Sequence, residues 1–276
     1  MYSIAKKLLN DNVTLFGLLV LLFLFFMMTF SVFITSENVQ NLDNRLLSIG
    51  SPEHILGTDH FGRDIFKRII KGSTVSIKVG LIASIISLVI GAFLGIIAGY
   101  FGSWIDTIIM RLTEIVMAFP VLLFLIAISA AFKPGINTSM FAIGMVSWPP
   151  MARLIRSHVL IIKSKEYILS VQALGFNDIR VIFFHVLPNC ISPLIVLFTL
   201  GISGAIMAES SLSFLGLGVQ PPTASWGSMI NEGKDFLRIS PWISLCPGIA
   251  IAITVLAFNL VGEGLRDALD VKLEDV

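Results

Sequence analysis

The sequence predicts an all-α protein that crosses a membrane several times. Hydrophobic residues make up 55% of the chain and charged residues only 13%, whereas a soluble domain normally carries about 25% charged residues. Six stretches without a charged residue follow one another, each about long enough to cross the hydrocarbon layer as a helix. The net charge of +1 gives no sign of a nucleic-acid partner. We therefore expect a polytopic protein with six transmembrane helices, surrounded by a lipid bilayer.

The first predicted span covers residues 13–35. It follows a short basic start and is longer than the apolar core of a signal peptide, so we interpret it as a retained helix. The Trp-Pro-Pro sequence ending at Pro150 is expected to kink or end the fourth span. Glycines within the second span, such as Gly91, Gly95 and Gly99, are expected to let helices approach closely. After the first, the charge-free windows are 79–104, 115–132, 134–152, 181–208 and 240–262.

A few charged residues lie at the edges of these spans. Asp106, Arg111 and Glu114 precede the third window at a spacing that places them at one helix end, where we expect them to compensate one another. Glu209 closes the fifth window and leaves two interpretations open. It is either a helix-end glutamate at the membrane interface or a residue of a translocation path or gate.

The sequence contains no motif for catalysis or nucleotide binding. Residues 227–235 come closest to a phosphate loop, but their spacing is wrong and Asp235 stands where a hydroxyl is needed. Cys190 and Cys246 are expected to be buried free thiols. We therefore predict no catalytic, cofactor-binding or metal-binding residue, and a transport protein is a better interpretation than an enzyme. The histidines, which also lack ligand spacing, are His54, His60, His158 and His185.

An amphipathic segment at 166–189 interrupts the apolar sequence. Ile168, Val171 and Leu174 recur at helical spacing, and Gly175 follows with the residue type that most readily ends a helix in the left-handed conformation. Asn177 or Asp178 can then cap a second helix that runs to Pro188. The pattern predicts two short helices joined at the glycine. From the pattern alone, docking to a partner and resting on lipid headgroups are equally supported.

Three segments carry a family resemblance that covers about residues 12–270. They are HILGTDHFGRDIFKRIIKGSTVSIKVGL at 54–81, the segment at 166–189, and ESSLSFLGLGVQPPTASWGSMINEG at 209–233, followed by FNLVGEGLRDALD at 258–270. Together they resemble the inner-membrane permeases of bacterial ABC importers for dipeptides, oligopeptides and nickel, specifically the second, C-type permease of the pair. The resemblance implies the type I ABC importer permease fold.

In that family the segment at 166–189 is a cytoplasmic loop that docks on an ATPase subunit. Gly175 and the ending His185–Pro188 match its pattern, but Leu169, Ser170 and Val171 replace the Glu-Ala-Ala that names the motif. The motif glutamate is therefore absent, and Glu166 lies one turn earlier. The residues that the resemblance implies in ATPase coupling are Glu166, Leu174, Gly175, Phe176, Asn177 and Asp178.

The resemblance also implies an orientation and a set of partners. Lysine and arginine are almost equally divided between the two sides of the predicted spans, so charge does not decide the orientation. The family places both termini in the cytoplasm of a bacterial cell and the permease in the inner membrane. Its partners would be a homologous second permease, two ATPases that use ATP and Mg, and an extracytoplasmic substrate-binding protein. The chain itself would bind no cofactor.

The resulting organisation is one transmembrane domain over 1–276. It has the span 13–35, an outer loop 36–75, core spans within 76–262 that include a cytoplasmic loop 153–190, and a tail 263–276. The outer-face residues Asp59, Arg63, Asp64 and Trp226 are expected either to contact the binding protein or to form a tight turn and an aromatic anchor. Peptide, nickel and a metal–chelator complex all remain possible cargoes. A secondary, ion-driven carrier is the alternative function.

Overall fold

The computed structural model describes residues 7–34 and 39–274, with side chains to residue 269. The last residue of the predicted first span, the first residues of the predicted outer loop (36–38) and the end of the tail lie outside the described residues. Helices dominate the described part, and only isolated bridges occur there in place of strands. The helices are α1 (Asn12–Phe30), α2 (Ile65–Phe101), α3 (Ser103–Ala118), α4 (Val121–Ala131), α5 (Ile136–Lys163), α6 (Glu166–Ala173), α7 (Asp178–Val181), α8 (Leu187–Phe214), α9 (Trp226–Gly233) and α10 (Trp242–Glu274).

Helix α2 begins well before the window that predicted it. The Asp64 carboxylate accepts a hydrogen bond from the backbone N–H of Lys67 at 3.0 Å and caps the helix. Residues 65–75, which were expected in the outer loop, are therefore helical. The predicted glycine packing is also present, because a Cβ on Gly95 would lie 2.6 Å from the backbone oxygen of Ala152 in α5. Helix α2 packs along both α5 and α8 and forms the centre of the bundle.

The third predicted span is two helices instead of one. Helices α3 and α4 meet at an angle of 88° on either side of Phe119 and Pro120, because proline cannot continue the hydrogen bonding of a helix. Asp106 and Glu114 lie on α3 as expected, but they do not form one cluster. Asp106 pairs with Arg156 of α5, whereas Glu114 pairs with Arg111 at 2.8 Å.

The fourth predicted span does not end at its prolines. Helix α5 continues through Pro149 and Pro150 to Lys163. Residues 153–163 therefore extend a helix and do not belong to a loop. By length and composition, α1, α2, α8 with its preceding turns, and α10 can each cross a membrane within the described residues, and the bent pair α3–α4 would make five. Helix α5 is long enough but less apolar, and one side of it is buried against α2.

Candidate functional site

The Gly175 loop, residues 164–186, has the helix–glycine–helix geometry that the sequence predicts. Helix α6 ends at Ala173, Gly175 takes a left-handed φ of +78°, and the Asn177 side chain accepts a hydrogen bond from the N–H of Ile179 at 3.2 Å. The expected helix end before Pro188 is wrong. Residues Ile182–Val186 form a π-helical turn that continues into α8. Such a wider turn is a common accommodation where regular helical hydrogen bonding is interrupted, here beside a proline.

The loop has a buried side and an exposed tip. Ile168 and Val181 are fully buried and pack against α5 and the end of α2. Leu174 was expected on the same face as Ile168, but it is 75% exposed, and Phe176 and Ile179 are exposed beside it. We call Leu174, Phe176 and Ile179 the loop tip. The loop thus presents apolar side chains to its surroundings while its other side is fixed to the bundle.

Of the predicted coupling residues, Leu174 and Phe176 belong to the exposed loop tip, and the others belong to the turn and the short helices that carry it. Glu166 is the exposed first residue of α6. A negative charge in the first turn of a helix is favourable. Asp178 begins α7 and accepts a hydrogen bond from the hydroxyl of Tyr100 at 2.7 Å. Tyr100 belongs to α2, far away in sequence, and the motif-based analysis missed it. No periodicity or motif in the sequence links it to the loop.

Glu209 lies inside the bundle. It is fully buried where α2, α8 and α9 meet. Its carboxylate accepts hydrogen bonds from Ser213 at 2.7 Å and from Ser76 at 3.4 Å. The Ser76 oxygen in turn accepts the N–H of Trp226 at 3.2 Å. Glu209 therefore lies at a junction of helices and not at an exposed helix end, and its role in a translocation path or gate stays a prediction.

Trp226 lies at the same meeting point of α2, α8 and α9. Its side chain is 0% exposed, and its indole N–H donates to the backbone oxygen of Ile69 at 3.0 Å. Ser225 caps α9 through a reciprocal pair of hydrogen bonds with Ser228. The tryptophan therefore fixes α9 to α2 and exposes no side-chain surface to anchor in lipid.

The 39–64 segment contains the tight turn proposed for GTDHFGRD. The Asp59 carboxylate accepts the N–H groups of Phe61 at 2.8 Å and Arg63 at 3.0 Å. Gly62 has a φ of +72°, and a Cβ there would lie 1.8 Å from a backbone oxygen, so only glycine fits. Asp64 accepts a hydrogen bond from His54 Nδ1 at 2.8 Å in addition to capping α2. The turn is built by carboxylates that satisfy backbone and side-chain donors.

A buried ion cluster joins this segment to α9. Arg63 and Arg68 both contact Asp59, at 2.6 and 3.3 Å, and both contact Glu232 of α9. Asp59, Arg63 and Arg68 are almost completely buried. The paired charges explain how α2 accommodates an arginine inside the fold, since a buried ion needs a partner of opposite charge.

The predicted binding-protein contacts therefore lie beneath the surface of the structure. Asp59, Arg63, Asp64 and Trp226 are all buried, so none of them presents its side chain to a partner in this conformation. The apolar side chains of the same segment that are exposed are Val39, Leu42, Ile49, Ile55 and Phe61.

Two cavities follow one side of α8. The larger, about 480 Å³, lies near the Gly175 loop among α5, α8 and α10, and the smaller, about 330 Å³, lies farther along α8. Leu197 and Leu200 line both, so the two cavities are neighbours, and we refer to the pair as the groove along α8. The groove is mainly apolar, and its end at the loop carries His158, Lys165 and Arg266.

Comparison with known proteins matches the chain to proteins named as transport system permeases. A dipeptide transport system permease protein of Alkalihalophilus pseudofirmus is 42% identical over 98% of this chain and 89% of its own length. A glutathione transport system permease protein of Pectobacterium atrosepticum is 43% identical over 87% of this chain and 79% of its own length. A putative peptide transport system permease protein of Brucella abortus is 39% identical over 98% and 91%.

The fold has a counterpart among solved structures. A chain of the MetNI methionine ABC transporter, solved in inward-facing conformations, superposes with a TM-score of 0.61 over 74% of this chain and 97% of its own length, at 14% identity. Residues 91–275 match the model of the family described as the inner membrane component of binding-protein-dependent transport systems. With the bundle, the Gly175 loop and these relatives in agreement, the chain belongs to this family of inner-membrane permease components.

Proposed function

We propose that this permease forms one half of the translocation path of an ATP-driven importer of short peptides. Relatives named for dipeptide, glutathione and peptide transport, each near 40% identity across most of the chain, support a peptide cargo over nickel or a metal–chelator complex. The groove along α8 supports the path, because its apolar wall is open on one side. A homologous second permease would close it.

The loop tip is the observation that carries the coupling role. Leu174, Phe176 and Ile179 are exposed on a loop whose opposite side is anchored by fully buried residues. An apolar projection on a rigid base can enter a groove of a partner and transmit a rigid-body movement. We assign that partner as a cytoplasmic ATPase, two of which would bind and hydrolyse ATP with Mg. This chain would contribute the lever and bind no cofactor.

The arrangement of the chain ends supports the proposed orientation. Helix α2 begins at the 39–64 segment and ends beside the Gly175 loop, so these two lie at opposite ends of the bundle. Lys7 and Asp267 line one small cavity, and Arg266 lines the groove near the loop, so the described residues nearest both termini lie on the loop side. We place that side in the cytoplasm and the 39–64 segment outside.

The outer segment would then meet the substrate-binding protein. Its exposed apolar side chains, rather than its buried ion cluster, offer the contact surface. The domain organisation follows: one membrane domain whose outer segment lies within 36–64, whose core extends through α10, and whose cytoplasmic projection is the Gly175 loop.

A pair of leucine substitutions tests the assignment of the two ends. Leu174→Asp places a charge in the apolar tip and is expected to abolish co-purification of the ATPases. Leu42→Asp, at a leucine that is also exposed but lies on the 39–64 segment, is expected to retain the ATPases and to weaken stimulation by the binding protein. ATPases that remain bound to the Leu174→Asp permease at the wild-type level would contradict the docking assignment.

A further inference from the structure

We infer that Tyr100 is a positioning residue that sets the angle of the Gly175 loop and connects it to α2. The inference rests on the proposed coupling function of the loop. Gly175 has a left-handed φ of +78°, and the space around its Cα is open. Because glycine resists backbone rotation less than any other residue, the angle between α6 and α7 depends on contacts that join the two helices.

The hydroxyl of Tyr100 makes such a contact. It donates a hydrogen bond to the Asp178 carboxylate at 2.7 Å, at the start of α7, and accepts one from the Gln172 amide at 3.3 Å, in the last turn of α6. One oxygen atom therefore joins the helices on both sides of the glycine. A hydrogen bond to a charged carboxylate is stronger than a neutral one, so the contact to Asp178 is the main restraint.

The ring that carries this hydroxyl is itself held in place. Tyr100 is only 3% exposed, and Lys163, the last residue of α5, lies with its ammonium 5.3 Å from the ring centre. The same ammonium donates a hydrogen bond to the backbone oxygen of Tyr100. Phe101 packs edge-on against the ring at 5.3 Å. The hydroxyl is thus presented from a fixed point at the end of α2.

Tyr100 lies at one end of α2, so its contact with the Gly175 loop connects the loop to the opposite end of that helix. Helix α2 runs without interruption from Ile65 to Phe101, a length of about 55 Å at the rise of an α-helix. Its other end carries Arg68, which belongs to the buried ion cluster with Asp59 and Glu232. Movement of the loop therefore reaches the outer segment through a single helix, by way of the Tyr100–Asp178 contact.

The experiment measures cargo imported per ATP hydrolysed by the complete reconstituted importer. Tyr100→Phe keeps the ring and removes both hydrogen bonds of the hydroxyl. We expect the ATPases to remain bound, because the tip is unchanged, and the ratio to fall about tenfold, the size expected for loss of a hydrogen bond to a charged group. Tyr167→Phe removes a hydroxyl from the exposed part of the same loop and is expected to leave the ratio unchanged.

A double-mutant comparison separates positioning from general loss of structure. Asp178→Ala is expected to lower the ratio nearly as much as Tyr100→Phe, because it removes the stronger of the two hydrogen bonds of the hydroxyl. The double variant is expected to lower the ratio no further than Tyr100→Phe alone, because that variant already lacks the contact to Asp178. A wild-type ratio in Tyr100→Phe, or fully additive losses in the double variant, would overturn the inference. If Leu174→Asp also keeps its ATPases, the docking proposal fails. If Leu174→Asp loses them while Tyr100→Phe couples normally, only the role of Tyr100 fails.

Discussion

A graded set of substitutions at Gly175 tests whether the left-handed turn positions the loop tip. The residue has a φ of +78°, a Cβ there would have nothing within 4 Å, and its N–H donates to the backbone oxygen of Gln172 at 2.9 Å. A substitution at Gly175 therefore changes the energy of the backbone conformation without creating a steric clash. Asparagine, alanine and proline impose increasing backbone costs while they meet the same open space.

The expected size of each effect follows from how readily the new residue adopts the left-handed backbone conformation. Asparagine visits the left-handed region readily, so Gly175→Asn is expected to couple almost normally. Alanine costs about 1–2 kcal/mol there, enough to reduce the population of the native turn by about tenfold if the loop is marginally stable. Proline is fixed near a φ of about −65° and has no N–H, so Gly175→Pro excludes the turn and removes the hydrogen bond to Gln172.

The assay is co-purification of the ATPases together with ATP-driven uptake into vesicles. Gly216 is a matched control, since it has a φ of +79°, open space around its Cα and an N–H that donates to Ser213 at 3.0 Å. Gly216→Ala has the same backbone cost outside the loop and is expected to retain the ATPases. Full uptake in Gly175→Pro would refute the role of the turn, as would equal loss of ATPase binding in Gly175→Ala and Gly216→Ala.

Three further predictions concern the 39–64 segment and its junction with α9. Gly62→Ala is expected to loosen the segment and expose it to limited proteolysis, because the new Cβ would lie 1.8 Å from a backbone oxygen, whereas Gly50→Ala has a similar φ and open space and should resist cleavage. Burial lowers the pKa of His60 below its ordinary 6.5. The unfolded segment therefore binds this proton more readily, and thermal stability should fall as the pH drops below about 6.5, less so in His60→Gln. Trp226→Phe removes an indole hydrogen bond to α2 and should cost about 1 kcal/mol in unfolding measurements.

Local sequence signals predicted the Gly175 loop well. A breaker-free apolar repeat, a glycine and an Asn-Asp pair encode the end of one helix and the start of the next within a few residues. The structure confirms each of these features at Gly175 and Asn177. The direction of Leu174 was not predictable from the repeat, since the last turn of a short helix can face away from the surface that buries its earlier residues.

Features that depend on distant partners were not predictable in the same way. The charge-free windows excluded the start of α2 because it carries four charged residues, Lys67, Arg68, Lys71 and Lys78. The buried one, Arg68, pairs inside the fold with Glu232, which is distant in sequence. The prolines of α5 were expected to kink or end that helix, and the helix does not end there but continues with Pro149 buried. Asp59 and Trp226 were expected either to contact the binding protein or to form a tight turn and an aromatic anchor. Asp59 does build the turn, but it is buried in the ion cluster that includes Glu232, which is distant from it in sequence. Trp226 is buried with its indole bonded to Ile69, which is distant from it as well.

Uptake of a labelled dipeptide by vesicles that contain the complete importer tests the central claim most directly. The measurement compares intact ATPases with ATPases inactivated at their nucleotide sites, each with the wild-type permease. We predict ATP-dependent accumulation with the intact subunits and none with the inactivated ones. Accumulation that continues with inactive ATPases and stops when an ion gradient is dissipated would contradict the account and identify a secondary carrier.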